Sequence, residues 1–187
     1  MSTIKLEIDG KQVESEKGRP LLEVAREAGA DIPTLCHNEK LKPHGDCRLC
    51  LVEVTKGKRV RIVASCAYPA DEGIVVKTST PVIERHRKLL VELLHPAAQH
   101  LEGRYGMSDA RFELERGDCN LCGLCVNYCQ EVIAKNVIYF KGRGTERKVA
   151  FVPGKAIECA TCGECFGLCT GGFIVSAYAS AGIDERG

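Results

Sequence analysis

Twelve of the 187 residues are cysteine, and eight of these form two strings of identical spacing. Each string has three cysteines at intervals of three residues and a fourth cysteine four residues further along. Thiolates at this spacing hold [4Fe–4S] clusters, and the fourth cysteine of each string serves the cluster of the other string. The spacing therefore predicts two [4Fe–4S] clusters, one on Cys119, Cys122, Cys125 and Cys169 and one on Cys129, Cys159, Cys162 and Cys165.

The other four cysteines form a separate set, which is Cys36, Cys47, Cys50 and Cys66. Three early cysteines and one distant fourth are typical of the plant-type [2Fe–2S] framework, although the first gap here is ten residues instead of four. Gly45 suits a loop whose backbone N–H groups approach cluster sulfur closely. We therefore expect one [2Fe–2S] cluster at this set.

Two other uses of cysteine fit the sequence less well. Disulfides need an oxidising compartment, and residues 1–10 contain no basic segment followed by an apolar one, so nothing points to secretion. Zinc prefers two separated pairs of cysteines around one ion, which fits the two crowded strings poorly. Zinc is a stronger alternative for the set at residues 36–66.

Charge and composition exclude several classes of function. The chain has 26 Lys and Arg residues interspersed with 25 Asp and Glu residues, so we expect no nucleic-acid partner. No run of about 18 apolar residues is present, so we expect no membrane span and a cytoplasmic location. No glycine-rich nucleotide loop or catalytic triad is found. We therefore expect no catalysis by this chain alone.

The pattern of apolar residues predicts an α+β fold. Alternation at residues 4–8, a turn at Asp9-Gly10, a helix between Pro20 and Gly29, a hairpin at 51–64 and a strand at 74–76 indicate a β-grasp domain. A helix at 81–95 is predicted to pack through Val82, His86, Leu89, Leu90, Leu93 and Leu94, with Arg87 outside. A second hairpin is expected at 137–152, and residues 177–187 are expected to fray. The predicted boundaries are 1–79 for the [2Fe–2S] domain, 80–108 for a helical connector and 109–187 for a two-[4Fe–4S] ferredoxin-like domain.

Together with the two strings, three short motifs carry a resemblance to a known family: residues 32–36 (Ile-Pro-Thr-Leu-Cys), residues 45–54 and Ser65-Cys66. The chain resembles the N-terminal iron–sulfur region of the 75-kDa-type subunit of complex I. It also resembles the small diaphorase subunit of NAD-linked hydrogenases and formate dehydrogenases, a family in which Gly142 to Thr145 has a counterpart. The resemblance implies an electron relay between a flavoprotein NAD(P)H-binding subunit and a second redox subunit. A free polyferredoxin and a redox sensor are the alternatives.

The sequence departs from this family at two places. The family usually has a further [4Fe–4S] site held by one histidine and three cysteines. The corresponding stretch here has His95 and His100 but no cysteine, so we expect no such cluster. The proline that usually follows the fourth cysteine of each string is replaced by Gln130 and Thr170.

Overall fold

The computed structural model describes residues 2–94, 97–107 and 119–174. These residues form two compact units. The first contains the described residues up to 37 and those from 43 to 107. The second contains residues 38–42 and 119–174.

The first unit is built on a five-stranded mixed sheet. Its elements are β1 (Thr3–Ile8), β2 (Lys11–Glu16), α1 (Leu21–Glu27), β3 (Leu51–Lys56), β4 (Arg59–Ala64) and β5 (Val75–Lys77). The strand order is β2-β1-β5-β3-β4; β1 and β5 are parallel and the other neighbours are antiparallel. The predicted strands and helix are confirmed, with β5 one residue later than expected, and the arrangement agrees with the α+β class.

Local chemistry explains how these elements begin and end. Ile4, Leu6 and Ile8 alternate into the core, where they meet the apolar face of α1. Asp9 and Gly10 have φ values of 49° and 82°, as the tight turn between two twisted strands requires. The Asp9 carboxylate also accepts hydrogen bonds from the Thr78 backbone N–H at 2.8 Å and hydroxyl at 2.6 Å. The β1–β2 turn is thereby tied to the end of β5.

Helix α2 (Pro81–Leu93) also belongs to the first unit and contacts β3. The Thr80 hydroxyl caps its first turn by accepting from the Ile83 N–H. The predicted packing face was wrong: Val82, Leu89 and Leu93 are 42–46% exposed, and His86 is also exposed, whereas Arg87 is 1% exposed. The residues that are buried are Ile83, Arg87, Val91 and Glu92. Residue type alone places a charged side chain such as Arg87 on the solvent side of a helix, and here its burial is made possible by backbone carbonyls of the neighbouring loop.

The second unit combines short helices with a hairpin. It contains α3 (Leu124–Asn127), which continues into a π-helical turn (Tyr128–Val132), then β6 (Ile138–Lys141), β7 (Lys148–Phe151) and α4 (Ala156–Cys162). The antiparallel β6–β7 pair confirms the predicted hairpin. Leu41, from the segment 38–42, is buried in this unit's core. The predicted fraying of residues 177–187 concerns a segment outside the described residues.

A membrane-spanning helix must be both long and apolar. Among the residues that the structure describes, no helix meets both requirements.

Candidate metal centres

The first cysteine set is brought together and buried. Cys36, Cys47 and Cys50 come from the long loop between α1 and β3, and Cys66 follows β4; their exposed fractions are 3%, 6%, 1% and 2%. The Cys47 backbone N–H donates to the Cys36 Sγ at 3.3 Å, and the Sγ atoms of Cys50 and Cys66 are 3.3 Å apart. All twelve cysteines lie within the described residues, and none forms a disulfide. Four buried thiols in one place are therefore available as metal ligands.

Hydrogen bonds in this set favour thiolates at two of the four sulfurs. A hydrogen bond from the Cys36 thiol lowers the pKa of Cys47 to about 6, although burial opposes this, and backbone N–H groups of Cys36 and Leu49 add to the lowering. The hydrogen bond with Cys66 similarly lowers the pKa of Cys50 to about 7. Iron binds the thiolate, so N–H groups aimed at sulfur suit a metal site.

The backbone around the set adopts conformations that hold this geometry. Gly45 and Arg48 have left-handed φ values of 69° and 58°. A Cβ atom at Gly45 would come no closer than 3.6 Å to Ala64 Cβ, an ordinary contact. The left-handed φ therefore explains this glycine, and crowding does not. The Cys50 carbonyl accepts from both the backbone N–H and the hydroxyl of Ser65, at 3.0 and 2.8 Å.

Sequence reasoning missed a charged residue that contacts this loop. The Arg87 guanidinium donates from Nε to the Leu49 carbonyl at 3.1 Å and from Nη2 to the Leu51 carbonyl at 2.7 Å, so it binds on both sides of Cys50. Its Nη1 donates to the Glu84 carboxylate at 3.1 Å. The available signal was the four-residue spacing that places Arg87 in line with buried Ile83.

In the second unit the eight remaining cysteines line two cavities. One cavity is lined by Cys119, Cys122, Cys125 and Cys169, and the other by Cys129, Cys159, Cys162 and Cys165. Each cavity thus gathers three cysteines from one string and one from the other. Among the described residues, no three side chains of the usual ligand types converge on the position of a single metal ion.

The pKa shifts of two buried thiols in the second unit follow this grouping at Cys165, whereas at Cys125 the largest contribution from another thiol comes from Cys165 in the other cavity. Burial, with smaller contributions from the nearby thiols of Cys159 and Cys129, raises the pKa of Cys165 to about 11. Burial also raises the pKa of Cys125, with smaller contributions from Cys165 and Cys122. Buried thiols that share a cavity resist ionisation without a cation, whereas a bound metal would stabilise them as thiolates.

The two strings differ in local structure despite their identical spacing. Gly123 and Gly163, which follow the second cysteine of each string, both have left-handed φ values, 78° and 61°. In the first string, Cys125 lies in α3 and Cys129 lies in the π-helical turn that follows it. In the second string, α4 carries Cys159 and ends at Cys162.

Of the two histidines in the stretch that lacks cysteine, the structure describes one. His100 lies on an exposed 3₁₀ turn at Gln99–Leu101. His95 lies outside the described residues.

Comparisons with known proteins point to one family. Residues 1–81 match the family described as "2Fe-2S iron-sulfur cluster binding domain". Over 92% of its length the chain is 31% identical to "NADH-ubiquinone oxidoreductase 78 kDa subunit, mitochondrial" of Neurospora crassa. Over 90% of its length it is 30% identical to "NADH-ubiquinone oxidoreductase 75 kDa subunit" of Reclinomonas americana. It is also 30% identical, over 92% of its length, to "NADPH-Fe(3+) oxidoreductase subunit alpha" of Geobacter sulfurreducens.

A solved structure adds a match in three dimensions. A chain of "NAD+-reducing [NiFe]-hydrogenase in the H2-reduced state" has a TM-score of 0.71 and 28% identity, over 82% of this chain and 77% of that one. The three sequence relatives are much longer, since the match covers only 24–29% of their length. Residues 1–81 therefore match the 2Fe-2S cluster binding domain family, and the chain is homologous to part of the 75 kDa-type subunit of NADH-ubiquinone oxidoreductases.

Proposed function

We propose that this protein is an iron–sulfur electron-transfer subunit of an NAD(P)H-linked oxidoreductase complex. It would bind one [2Fe–2S] and two [4Fe–4S] clusters and relay single electrons between a flavoprotein NAD(P)H-binding subunit and a second redox subunit. The sequence relatives are subunits of such enzymes by name, which supports a role inside a complex. Hydrogenase, formate dehydrogenase and bifurcating enzymes remain candidate types of complex, and the cytoplasmic location stays a prediction.

The observation that carries the proposal is the lining of the two cavities in the second unit. If each string bound its own cluster, the four cysteines of that string would line one cavity. The cavity lined by Cys119, Cys122 and Cys125 has Cys169 as its fourth thiol, and the other cavity has Cys129. This exchange of the fourth ligand is the pattern of two-cluster ferredoxins, and it supports the proposed [4Fe–4S] ligand sets.

The [2Fe–2S] cluster is assigned to Cys36, Cys47, Cys50 and Cys66. The family match at residues 1–81 contains all four. Their burial would keep water away from the sulfurs, and the N–H groups directed at the Cys47 and Cys50 sulfurs would stabilise their negative charge. The donor set therefore fits an iron–sulfur cluster.

The protein would bind the clusters, shield them from solvent and set their reduction potentials. Iron–sulfur clusters, when bound, supply the one-electron chemistry. The chain's own side chains supply thiolate ligands, and the packed core around each cavity limits solvent access. Differences in burial and hydrogen bonding among the three sites would order their reduction potentials.

Metal analysis of the anaerobically prepared chain tests the cluster assignment. Counting two, four and four iron atoms for the three clusters, the protein should contain about ten iron atoms and about ten acid-labile sulfides. About four iron atoms, or an equimolar amount of zinc, would refute the ligand sets.

Purification tests the role as a subunit. Affinity isolation from the native host should recover this chain with a flavoprotein and with a second redox subunit, both identified by mass. A monodisperse monomer that carries all its iron would instead favour a free polyferredoxin.

A further inference from the structure

Arg87 is the largest of the side chains that are almost completely buried in the described part of the protein. Burying a guanidinium is costly unless its donors are satisfied, because the charge loses its hydration. Three contacts compensate here, to the carbonyls of Leu49 and Leu51 and to the carboxylate of Glu84. The Glu84 side chain is 39% exposed, so the arginine is the deeper of the two charges.

The contacts of Arg87 fix the backbone on both sides of Cys50. The carbonyls of Leu49 and Leu51 bind the guanidinium, and the Cys50 carbonyl between them binds Ser65. Three successive carbonyls are therefore held by donors. Because N–H and C=O point in opposite directions across a trans peptide, holding the Leu49 carbonyl also sets the direction of the Cys50 N–H.

A buried positive charge at this position has an electrostatic consequence. Reduction adds one negative charge to a cluster, and a nearby positive charge in a medium of low dielectric constant stabilises the reduced state. Guanidinium groups remain protonated in proteins, so arginine acts as a permanent positive charge. Glu84 offsets part of this effect, but solvent screens its carboxylate more strongly.

We propose that Arg87 is a positioning residue that raises the reduction potential of the cluster held by Cys36, Cys47, Cys50 and Cys66. This inference rests on the proposed function, in which those four cysteines hold a [2Fe–2S] cluster. Arg87 acts through the backbone of the Cys50 loop and through its charge, and it does not ligate iron.

Redox titration of the full-length, cluster-loaded protein, followed by the EPR signal of the reduced [2Fe–2S] cluster, tests the inference. In Arg87→Gln, the ratio of reduced to oxidised cluster at the wild-type midpoint should fall about tenfold, equivalent to about 59 mV for a one-electron couple. Arg85→Gln is the matched control, because it removes the same charge from an exposed position of the same helix. Its midpoint should stay near the wild-type value.

Two further variants separate charge from simple structural damage. Glu84→Gln removes the negative partner and should move the midpoint in the positive direction, a change that loosened packing would not produce. Arg87→Lys keeps the charge but loses the planar fork that reaches two carbonyls, and should give an intermediate midpoint. If Arg87→Gln fails to fold, the midpoint potentials of Glu84→Gln and Arg87→Lys test the inference instead.

The outcomes distinguish this inference from the proposed function. Wild-type protein without a [2Fe–2S] signal would overturn the proposed function and the inference with it. If the wild-type signal is normal and Arg87→Gln has the same midpoint potential as Arg85→Gln, the role of Arg87 is overturned and the proposed function is not. A negative shift in Glu84→Gln would also overturn the role of Arg87.

Discussion

The exchange of the fourth ligand between the two strings can be tested by combining substitutions. If Cys129 and Cys159 line the same cavity, the double variant C129A/C159A removes two ligands from one [4Fe–4S] cluster and leaves the other untouched. One intact [4Fe–4S] cluster should remain, and total iron should fall from about ten to about six atoms per chain. The double variant C129A/C119A removes one ligand from each cavity, so no intact [4Fe–4S] cluster should remain.

Mössbauer spectroscopy of ⁵⁷Fe-loaded protein counts intact four-iron clusters even where a damaged site keeps three iron atoms. The mirror pair gives a matched control: C169A/C119A should behave as C129A/C159A does, and C169A/C159A should behave as C129A/C119A does. In all four variants the EPR signal of the [2Fe–2S] cluster should persist, because its proposed ligands are in the other unit.

The reverse result would refute the exchange. If C129A/C119A kept one intact four-iron cluster and C129A/C159A kept none, each string would supply all four ligands of its own cluster. The identical spacing of the two strings would then carry no information about pairing.

Two predictions concern stability. Gly142→Ala places a Cβ atom 2.3 Å from the Glu146 carbonyl oxygen, whereas Gly154→Ala, at a similar φ of 75° against 81°, meets nothing within 4 Å. In thermal unfolding of the anaerobic protein, Gly154→Ala should lower the free energy of unfolding by about 1–2 kcal/mol, because of backbone strain. Gly142→Ala should lower it by more, because the clash adds to the strain. Equal losses of stability in the two variants would contradict the clash. Asp9→Ala should lower the free energy of unfolding in urea by about 1–3 kcal/mol, since two hydrogen bonds to Thr78 are lost. Asp9→Asn should cost less, because asparagine tolerates the left-handed φ.

Much of the first unit could be predicted from sequence because its signals are local. Ile4, Leu6 and Ile8 alternate with polar residues, and a strand with one buried face has that period. Asp9-Gly10 supplies the positive φ values that its hairpin needs. The repeated cysteine spacing is also visible without any tertiary information, and the ligand sets that it indicates stay a prediction.

The buried face of α2 could not be predicted in the same way. Its apolar residues lie on both sides of the helix, so periodicity alone allowed two solutions. Arg87 decides between them, because the carbonyls of Leu49 and Leu51 satisfy its donors. Those carbonyls come from residues 38 and 36 positions earlier in the chain. The four-residue spacing from Ile83 to Arg87 is visible in the sequence, but the partners that make burial of the charge favourable are not.

The structure that supports the first cysteine set extends beyond the residues that match the domain family. The family match ends at residue 81, yet the donors for two carbonyls of its cysteine loop come from Arg87 in the helix beyond. Leu49 and Leu51 are themselves buried, at 0% and 7% exposed. Without Arg87, each of these carbonyls would need another donor or cost about 1–3 kcal/mol. The helix that looks like a connector in the sequence is therefore part of the structure that holds Cys50.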